Sequence, residues 1–350
     1  MVDSIWQSFL LIFSMFYVGA TTETEPSPYP GDSVDDIAVW VNAENPSRSL
    51  ILATLKNNNQ TPSKPLGILV YDLQGKQIQF LQGGSPNNID IRYGYDHDGQ
   101  QIPIIAVSHW QHNDVSLLTI DPNNLKLVQL TIENIDTGLL KARGLCLYKN
   151  NNQFYYFVIS NLGEVRQFRI HSDAQWSASQ VRQFSLGSSA EGCVVDDFYN
   201  KLYIAEESVG IWRYDADPKS KTVEKIIDLN WLSALKADLE GLAIYDSGDG
   251  KGYLIVSSQG NSRFVIYDRL GDKHLGTFGI EPAGDIDGTS KTDGIDASSV
   301  NYGSRFPSGF FIAHDDANES PEGVPRHQNF KIVDWRVIQQ QLDKIKIATR

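Results

Sequence analysis

The stretch Asp238-Leu239-Glu240-Gly241-Leu242-Ala243-Ile244-Tyr245 sets two carboxylates and a glycine directly before a short apolar run. A β-strand sends residues i and i+2 to the same face, so Asp238 and Glu240 are expected to point into one site. Related stretches stand elsewhere: Glu191-Gly192-Cys193-Val194-Val195, Asp293-Gly294-Ile295-Asp296, and Arg143-Gly144-Leu145-Cys146-Leu147-Tyr148 with a base in the acid's place. Looser copies start at Asp36 and Asn88. The six copies, at 36, 88, 143, 191, 240 and 293, are 52, 55, 48, 49 and 53 residues apart. A recurring step of this size marks a repeat architecture.

Each repeat reads as four strands joined by turns. The clearest runs from Glu191 to Leu229, with a first strand at Glu191, a second at Leu202, a third at Gly210 and a fourth at Val223. Four-stranded units of this length are the blades of a propeller, so the expected fold is all-β, a six-bladed β-propeller of four-stranded antiparallel blades. The start of each first strand and the end of each second strand then face one central region. The last blade has no fourth strand after Trp335, and the segment before Asp35 is expected to supply it. Val337 to Ile347 reads as a short helix. Insertions interrupt the first and last blades at Lys56 to Leu66 and Asp315 to His327.

The net charge of −13 argues against nucleic acid, whose phosphates call for Lys and Arg. It is compatible with cations, or with a polyanion already complexed to cations, but for net charge alone solubility is the weightier reading. The two cysteines, Cys146 and Cys193, stand at different offsets from their glycines, so buried free thiols are expected rather than a disulfide. The apolar run from Phe9 to Ala20 suits the core of a signal peptide and is shorter than the ~20 residues of a membrane span. Asp3, with no Lys or Arg beside it, departs from the usual charge of a leader. The expected organisation is a leader over 1–20, a linker over 21–32, the propeller over 33–340 and a tail over 341–350. It implies a secreted or periplasmic protein without a stable membrane span, working as a monomer.

Polar residues gather at the strand ends that would meet at the axis. Asp35, Asp36, Asn88, Asp90, Glu191, Asp238, Glu240, Asp293 and Asp296 lie near first-strand starts. Lys56, His109, Asn161, Glu206, Glu207, Gln259, Asp315 and Asp316 lie at second-strand ends. Any one such acid is ordinarily a turn residue. Glu191, Glu207, Asp238 and Glu240 together point to a metal cluster, because packing four carboxylates without a cation costs stability. All-oxygen donors suit calcium better than zinc or copper. Glu206 and Glu207 alternate faces, so one of them turns inward. An acid–base pair of the glycosidase kind fits less well, since Asp238 and Glu240 are too close together for it. His109 and His112 read as packing or surface residues. No nucleophile elbow, P-loop or dinucleotide fingerprint is present.

Thr292-Asp293-Gly294-Ile295-Asp296, Glu191-Gly192 with Leu202-Tyr203-Ile204-Ala205-Glu206-Glu207, Asp238-Leu239-Glu240-Gly241, Ser257-Ser258-Gln259-Gly260-Asn261 and Gln328-Asn329-Phe330-Lys331 closely resemble the β-propeller phytases. So do Asp35-Asp36 ahead of Ala38-Val39-Trp40-Val41, and Asn87-Asn88-Ile89-Asp90-Ile91-Arg92-Tyr93. The resemblance covers roughly residues 33 to 340. It implies an alkaline, secreted phosphatase of inositol hexakisphosphate that depends on several calcium ions and takes its substrate as the calcium salt. The family's active-site acids match Glu191, Glu207, Asp238, Glu240 and Asp293, with Gln259 as a polar partner. Asp35 joins the metal set, while Asp36 and a backbone carbonyl near Ile89 match a structural calcium site. Lys56 matches a phosphate-binding lysine. Trp110 and Asn161 stand where the family has an arginine and a lysine, Arg143 where it has a tyrosine, and Leu162 where it has an acid, with Glu164 still in register. The metal half of the site is thus kept and the direct phosphate grip altered. Two rival expectations follow: a calcium-dependent propeller lactonase, or a weakly active or non-catalytic propeller that binds calcium-complexed anions.

Overall fold

The second strand of blade 1, Leu50–Leu55, is buried at every residue, and so is the first, Val34–Trp40. Both faces of such a strand must therefore meet apolar surface, which a radial stack of sheets provides. The computed structural model describes residues 15–56, 64–229 and 233–348. Most of the Lys56 to Leu66 insertion and the first part of the apolar N-terminal run lie outside these residues.

Six sheets form the ring. Blade 1 is Val34–Trp40, Leu50–Leu55, Gly67–Asp72 and Gln77–Gln82. Blade 2 is Pro86–His97, Gln100–His109, Asp114–Asp121 and Lys126–Gln129, with Ile135–Asp136 also on its third strand. Blade 3 is Ala142–Asn150, Gln153–Ser160, Glu164–His171 and Ser177–Ser185. Blade 4 is Ala190–Asp196, Lys201–Glu206, Gly210–Asp215 and Val223–Asp228. Blade 5 is Leu239–Gly248, Lys251–Ser258, Arg263–Asp268 and His274–Glu281. Blade 6 is Ile295–Ser298, Phe310–Asp315 and Asn329–Asp334. Its fourth strand is Thr22–Glu23, paired with Ile332 and Lys331, so the ring closes with an N-terminal strand as expected. That strand lies inside the stretch read as a linker. Met15–Gly19, inside the stretch read as a leader, adds a fifth, parallel strand to blade 5 and buries Phe16 and Val18.

Six apolar clusters fill the spaces between neighbouring blades, one for each interface. The cluster between blades 5 and 6 also takes Phe16, Val18 and the apolar side of a helix, Trp335–Ala348, through Trp335, Ile338 and Leu342. Trp335 stacks on Tyr245 with ring centroids 3.6 Å apart. The helix thus runs two residues earlier, and into the stretch read as a tail.

Candidate active site at one mouth of the axis

Five of the six innermost strands open with the same irregularity. Their pairing register slips between Val34 and Ile37, Pro86 and Ile89, Ala142 and Gly144, Ala190 and Cys193, and Leu239 and Leu242. A bulge holds unpaired residues and re-aims their side chains. It takes Asp35, Asn87, Arg143, Glu191 and Glu240 out of the pleat, and Asp293 holds the matching place before Ile295–Ser298. Gly241 N–H donates to the Asp293 carbonyl, and Gly294 N–H to that of Asp35, each at 3.0 Å. One residue per blade therefore lines the axis. In blades 1 and 2 it is Asp35 and Asn87, one position earlier than the repeat spacing suggested. Strand alternation does not carry across the bulge, so Asp238 and Glu240 do not share a face in the simple way expected. Asp238 is exposed, while Glu240 lies within the field of Glu191, Asp293, Glu207 and Asp35.

The glycine after each axial residue has a steric cause. A Cβ on Gly144 would stand 2.0 Å from the Glu191 carbonyl oxygen, and one on Gly192 2.0 Å from that of Glu240. The strands converge so closely that a side chain has no room. Blades 1 and 2 have Asp36 and Asn88 there instead. Asn88 Nδ2 donates to Asp36 Oδ2 at 3.1 Å, and Ile89 N–H donates to the same oxygen at 3.0 Å. Asp36 thus meets the backbone of Ile89 through its N–H, whereas the expected calcium site draws on a carbonyl near Ile89. Burial, opposed by the Ile89 N–H, pushes the Asp36 carboxyl well above its usual range.

Around the axis the carboxylates are bridged by the few donors present. Lys56 Nζ reaches Asp35 Oδ1 at 2.5 Å, Asp32 at 2.8 Å and Asp293 Oδ2 at 3.6 Å. Burial works against the ammonium, but these three acids outweigh it and hold its pKa well above the ordinary value. Asn87 Nδ2 donates to Asp35 Oδ2 at 2.7 Å and Glu191 Oε1 at 2.5 Å. Arg143 Nη1 stands 3.4 Å from Glu191 Oε2, and Gln259 Nε2 donates to Asp293 Oδ1 at 2.5 Å. Desolvation first, then repulsion by Asp35, raises the Glu191 carboxyl; desolvation, then Glu191 and Asp293, raises that of Glu240. Asp293 is raised by desolvation against the pull of Lys56. Among the described residues no three His, Cys, Asp or Glu side chains already converge as a metal cage. The donor chemistry nevertheless fits a hard cation: crowded carboxylate oxygens, of which desolvation raises the pKa of Glu191, Glu240 and Asp293, and no soft ligand.

A second circle lies just outside. The N–H groups of Lys56, Trp110, Asn161, Glu207 and Gln259 donate in turn to the carbonyls of Ser33, Ser85, Lys141, Ser189 and Asp238. Lys56, Trp110, Asn161, Glu207 and Gln259 are therefore geometric equivalents, as their alignment implied. Ser189 Oγ donates to Glu207 Oε1 at 2.6 Å, fixing that carboxylate at the mouth. Glu206 turns into its own blade, accepting from Ser188 Oγ at 2.6 Å and Trp212 Nε1 at 2.7 Å. Glu164 stands apart from the axis and accepts from Arg166 Nη2 at 2.8 Å. His109 is buried: its Nδ1 accepts from Ser85 N–H and its Nε2 faces Ser116 Oγ at 2.8 Å. Asp32, Asn87 and Ser189 were missed by the sequence argument. Asn87 was within its reach, had the acid–acid and Asn–Asn pairs been aligned on the acid–glycine pairs.

Asp90 and Asp296 belong to the other mouth, further along the inner strands. There a cavity of about 330 Å³ is lined by Asp90, Arg92, Asp197, Asp246, Arg269 and Asp296. Arg92 is held by Asp90 and Asp197, each at 2.9 Å, and Arg269 Nε by Asp196 at 2.6 Å. Between the mouths, Cys146 and Cys193 form a disulfide, with Cα atoms 5.8 Å apart, joining the inner strands of blades 3 and 4. The expectation of free thiols is corrected. Their different offsets from the glycine are absorbed by the unequal bulges, at Ala142/Gly144 and Ala190/Cys193.

The family model described as Phytase matches residues 9–348. The 3-phytase of Bacillus subtilis (strain 168) is 38% identical over 339 residues, which cover 94% of this chain and 86% of that one. A solved structure of Kuenenia stuttgartiensis hydrazine synthase shares the fold alone, with a TM-score of 0.50 and 14% identity over 83% of this chain and 95% of that one. With the six-bladed ring, the repeated acid–glycine pairs at one mouth and a family match spanning nearly the whole sequence, the chain belongs to the phytase family.

Proposed function

We propose that this protein hydrolyses phosphomonoesters of phytate, presented as its calcium salt, with several calcium ions held at the axial mouth. The phytase family is metal-dependent. The observation that carries the proposal is the ring Asp35, Glu191, Glu240 and Asp293, whose carboxyls are crowded on one axis with Lys56, Asn87 and Arg143 as their main bridges. Asp35, Glu191, Glu240 and Asp293 would hold calcium together with Glu207 from the surrounding circle and Asp238, whose carbonyl accepts from the Gln259 N–H. Asp36 and the Ile89 backbone would hold a structural ion. Bound calcium would supply positive charge against the carboxylates and the phosphate, and would activate water for attack on phosphorus.

The chain's own groups do the positioning. Gln259 orients Asp293, Ser189 orients Glu207, and Asn87 ties Asp35 to Glu191. Arg143, partly exposed beside Glu191, donates to phosphate oxygens, a task for which a guanidinium fork is suited. Lys56 is tied to three carboxylates, so it neutralises the ring first and reaches phosphate only once cations replace it. Water attacks phosphorus and gives up a proton, the P–O bond to the inositol breaks, and the leaving oxygen takes up a proton, so that the water is divided between inorganic phosphate and the inositol hydroxyl.

Export to an oxidising compartment is part of the proposal, and the Cys146–Cys193 disulfide supports it, since such bonds persist there. A leader removed on export would have to end ahead of Met15, because Phe16 and Val18 are in the core. Among the described residues no helix is long and apolar enough to cross a membrane. The test is phosphate release from calcium phytate by the wild type, Glu191→Gln and Glu240→Gln, with a lactone assayed beside it. Release by the wild type that both variants lose supports the proposal. Lactone cleavage without phosphate release, or calcium-dependent phytate binding without turnover, overturns it.

A further inference from the structure

The ring register defines a further circle of positions, two residues ahead of each axial residue: Ser33, Ser85, Lys141, Ser189, Asp238 and Lys291. Ser33 and Ser85 are buried, and Ser189 is engaged with Glu207. Lys141 and Lys291 are exposed, and neither side chain has an ion pair or hydrogen bond among the described residues. Both backbones are left-handed, with φ of 55° and 41°, a conformation disfavoured for any residue with a Cβ. Tertiary contacts hold them there: Asn161 N–H donates to the Lys141 carbonyl at 3.1 Å, and Lys291 N–H to Ser262 Oγ at 3.2 Å. The direction in which each lysine leaves the chain is thus set by the fold.

The two lysines precede the axial residues of blades 3 and 6, which stand opposite each other in a ring of six. Of the other cations near this mouth, Lys56 is tied to three carboxylates and Arg143 stands beside Glu191 on the axis, while Lys236, two residues ahead of Asp238, is exposed on blade 5. Trp110 and Asn161 offer no charge. A substrate carrying several phosphates that extends beyond the axial carboxylates therefore meets positive charge on two opposite sides, at Lys141 and Lys291.

We propose that Lys141 and Lys291 are specificity-determining residues that grip phosphates remote from the one being cleaved, selecting substrates with phosphates on opposite sides of a ring. This rests on the axial mouth being the phosphohydrolase site. A monophosphate cannot span both lysines and gains nothing from them at once.

Lys141→Gln, Lys291→Gln and the double variant test this; glutamine keeps the stem and adds no further strain at a left-handed position. Each single change should raise KM for phytate about two- to fivefold, the range of a single exposed charge contact, and the double change should combine the two. kcat for phytate, KM for p-nitrophenyl phosphate and calcium affinity should stay at wild-type values. Lys141→Arg should retain the phytate KM, and Lys126→Gln, on an exposed outer strand, should leave it unchanged. A phytate KM in the double variant equal to that of the wild type overturns the proposal, as does an equal rise for both substrates. Calorimetric titration of phytate onto the calcium-loaded protein reads the grip without turnover. Equal Kd values for wild type and double variant sink the lysine assignment, whereas a wild type that binds phytate through these lysines without releasing phosphate sinks only the catalytic reading.

Discussion

Replacing Gly192 by Ala tests the central geometric claim, that the inner strands meet too closely for a side chain. The added Cβ would stand 2.0 Å from the Glu240 carbonyl oxygen, 2.7 Å from its carbon and 3.3 Å from Gly241 N. These are backbone atoms, so no rotamer change relieves the contact. The strands carrying Glu191 and Glu240 must part by about 1 Å in a close-packed interior. Overpacking costs ~1–3 kcal/mol, and a rigid backbone contact belongs at the upper end, ~3 kcal/mol. For a chain of 350 residues the entropy of unfolding is about 0.7 kcal/mol per degree, so the melting midpoint should drop by about 4 °C. Gly83→Ala is the control, because nothing lies within 4 Å of its Cβ position. Calorimetric melts in excess calcium would measure both, with calcium titrations to follow the widened Glu191–Glu240 spacing. A Gly192→Ala midpoint matching that of Gly83→Ala would refute the convergence argument.

Three further outcomes are expected. Glu191→Gln and Glu240→Gln should each lower phosphate release ~100-fold or more at saturating calcium, ~2.7 kcal/mol of barrier, while the melting midpoint holds; near-normal rates would remove these residues from the site. In chelator, stability should fall as pH rises from the ordinary carboxylate range to about 8, the value to which burial and then Asp35 push Glu191, because the folded state binds that proton more tightly than the unfolded chain. Melts at pH 5, 7 and 9 should show this slope in the wild type, and a Glu191→Gln variant with the same slope would count against it. Reducing the Cys146–Cys193 bond, which spans 47 residues, should cost at most ~4 kcal/mol and lower the midpoint by about 5 °C; unchanged melts in a thiol reductant would show that it does not constrain the unfolded chain.

The sequence by itself determined the architecture and pointed to most members of the candidate site. Blade number followed from the spacing of the acid–glycine pairs, and strand order from apolar runs separated by turns, because packing on both blade faces writes continuous hydrophobicity into the inner strands. Glu191, Glu207, Glu240, Lys56 and Gln259 were legible for the same reason: each sits at a repeated offset from a strand end. Only the tertiary structure decided the register within the ring. The bulges place Asp35 and Asn87 on the axis, leave Asp238 exposed and send Asp90 and Asp296 to the far mouth, and a bulge is an event of pairing between strands that periodicity along one strand does not record. The Cys146–Cys193 bond has the same origin, since its two sulfurs meet only because neighbouring blades slip by different amounts. Closure by Thr22–Glu23 was inferred from a missing strand, but the burial of Phe16 and Val18 beside Trp335 was not, because a run of apolar residues looks alike whether it packs on a sheet edge or is removed as a leader.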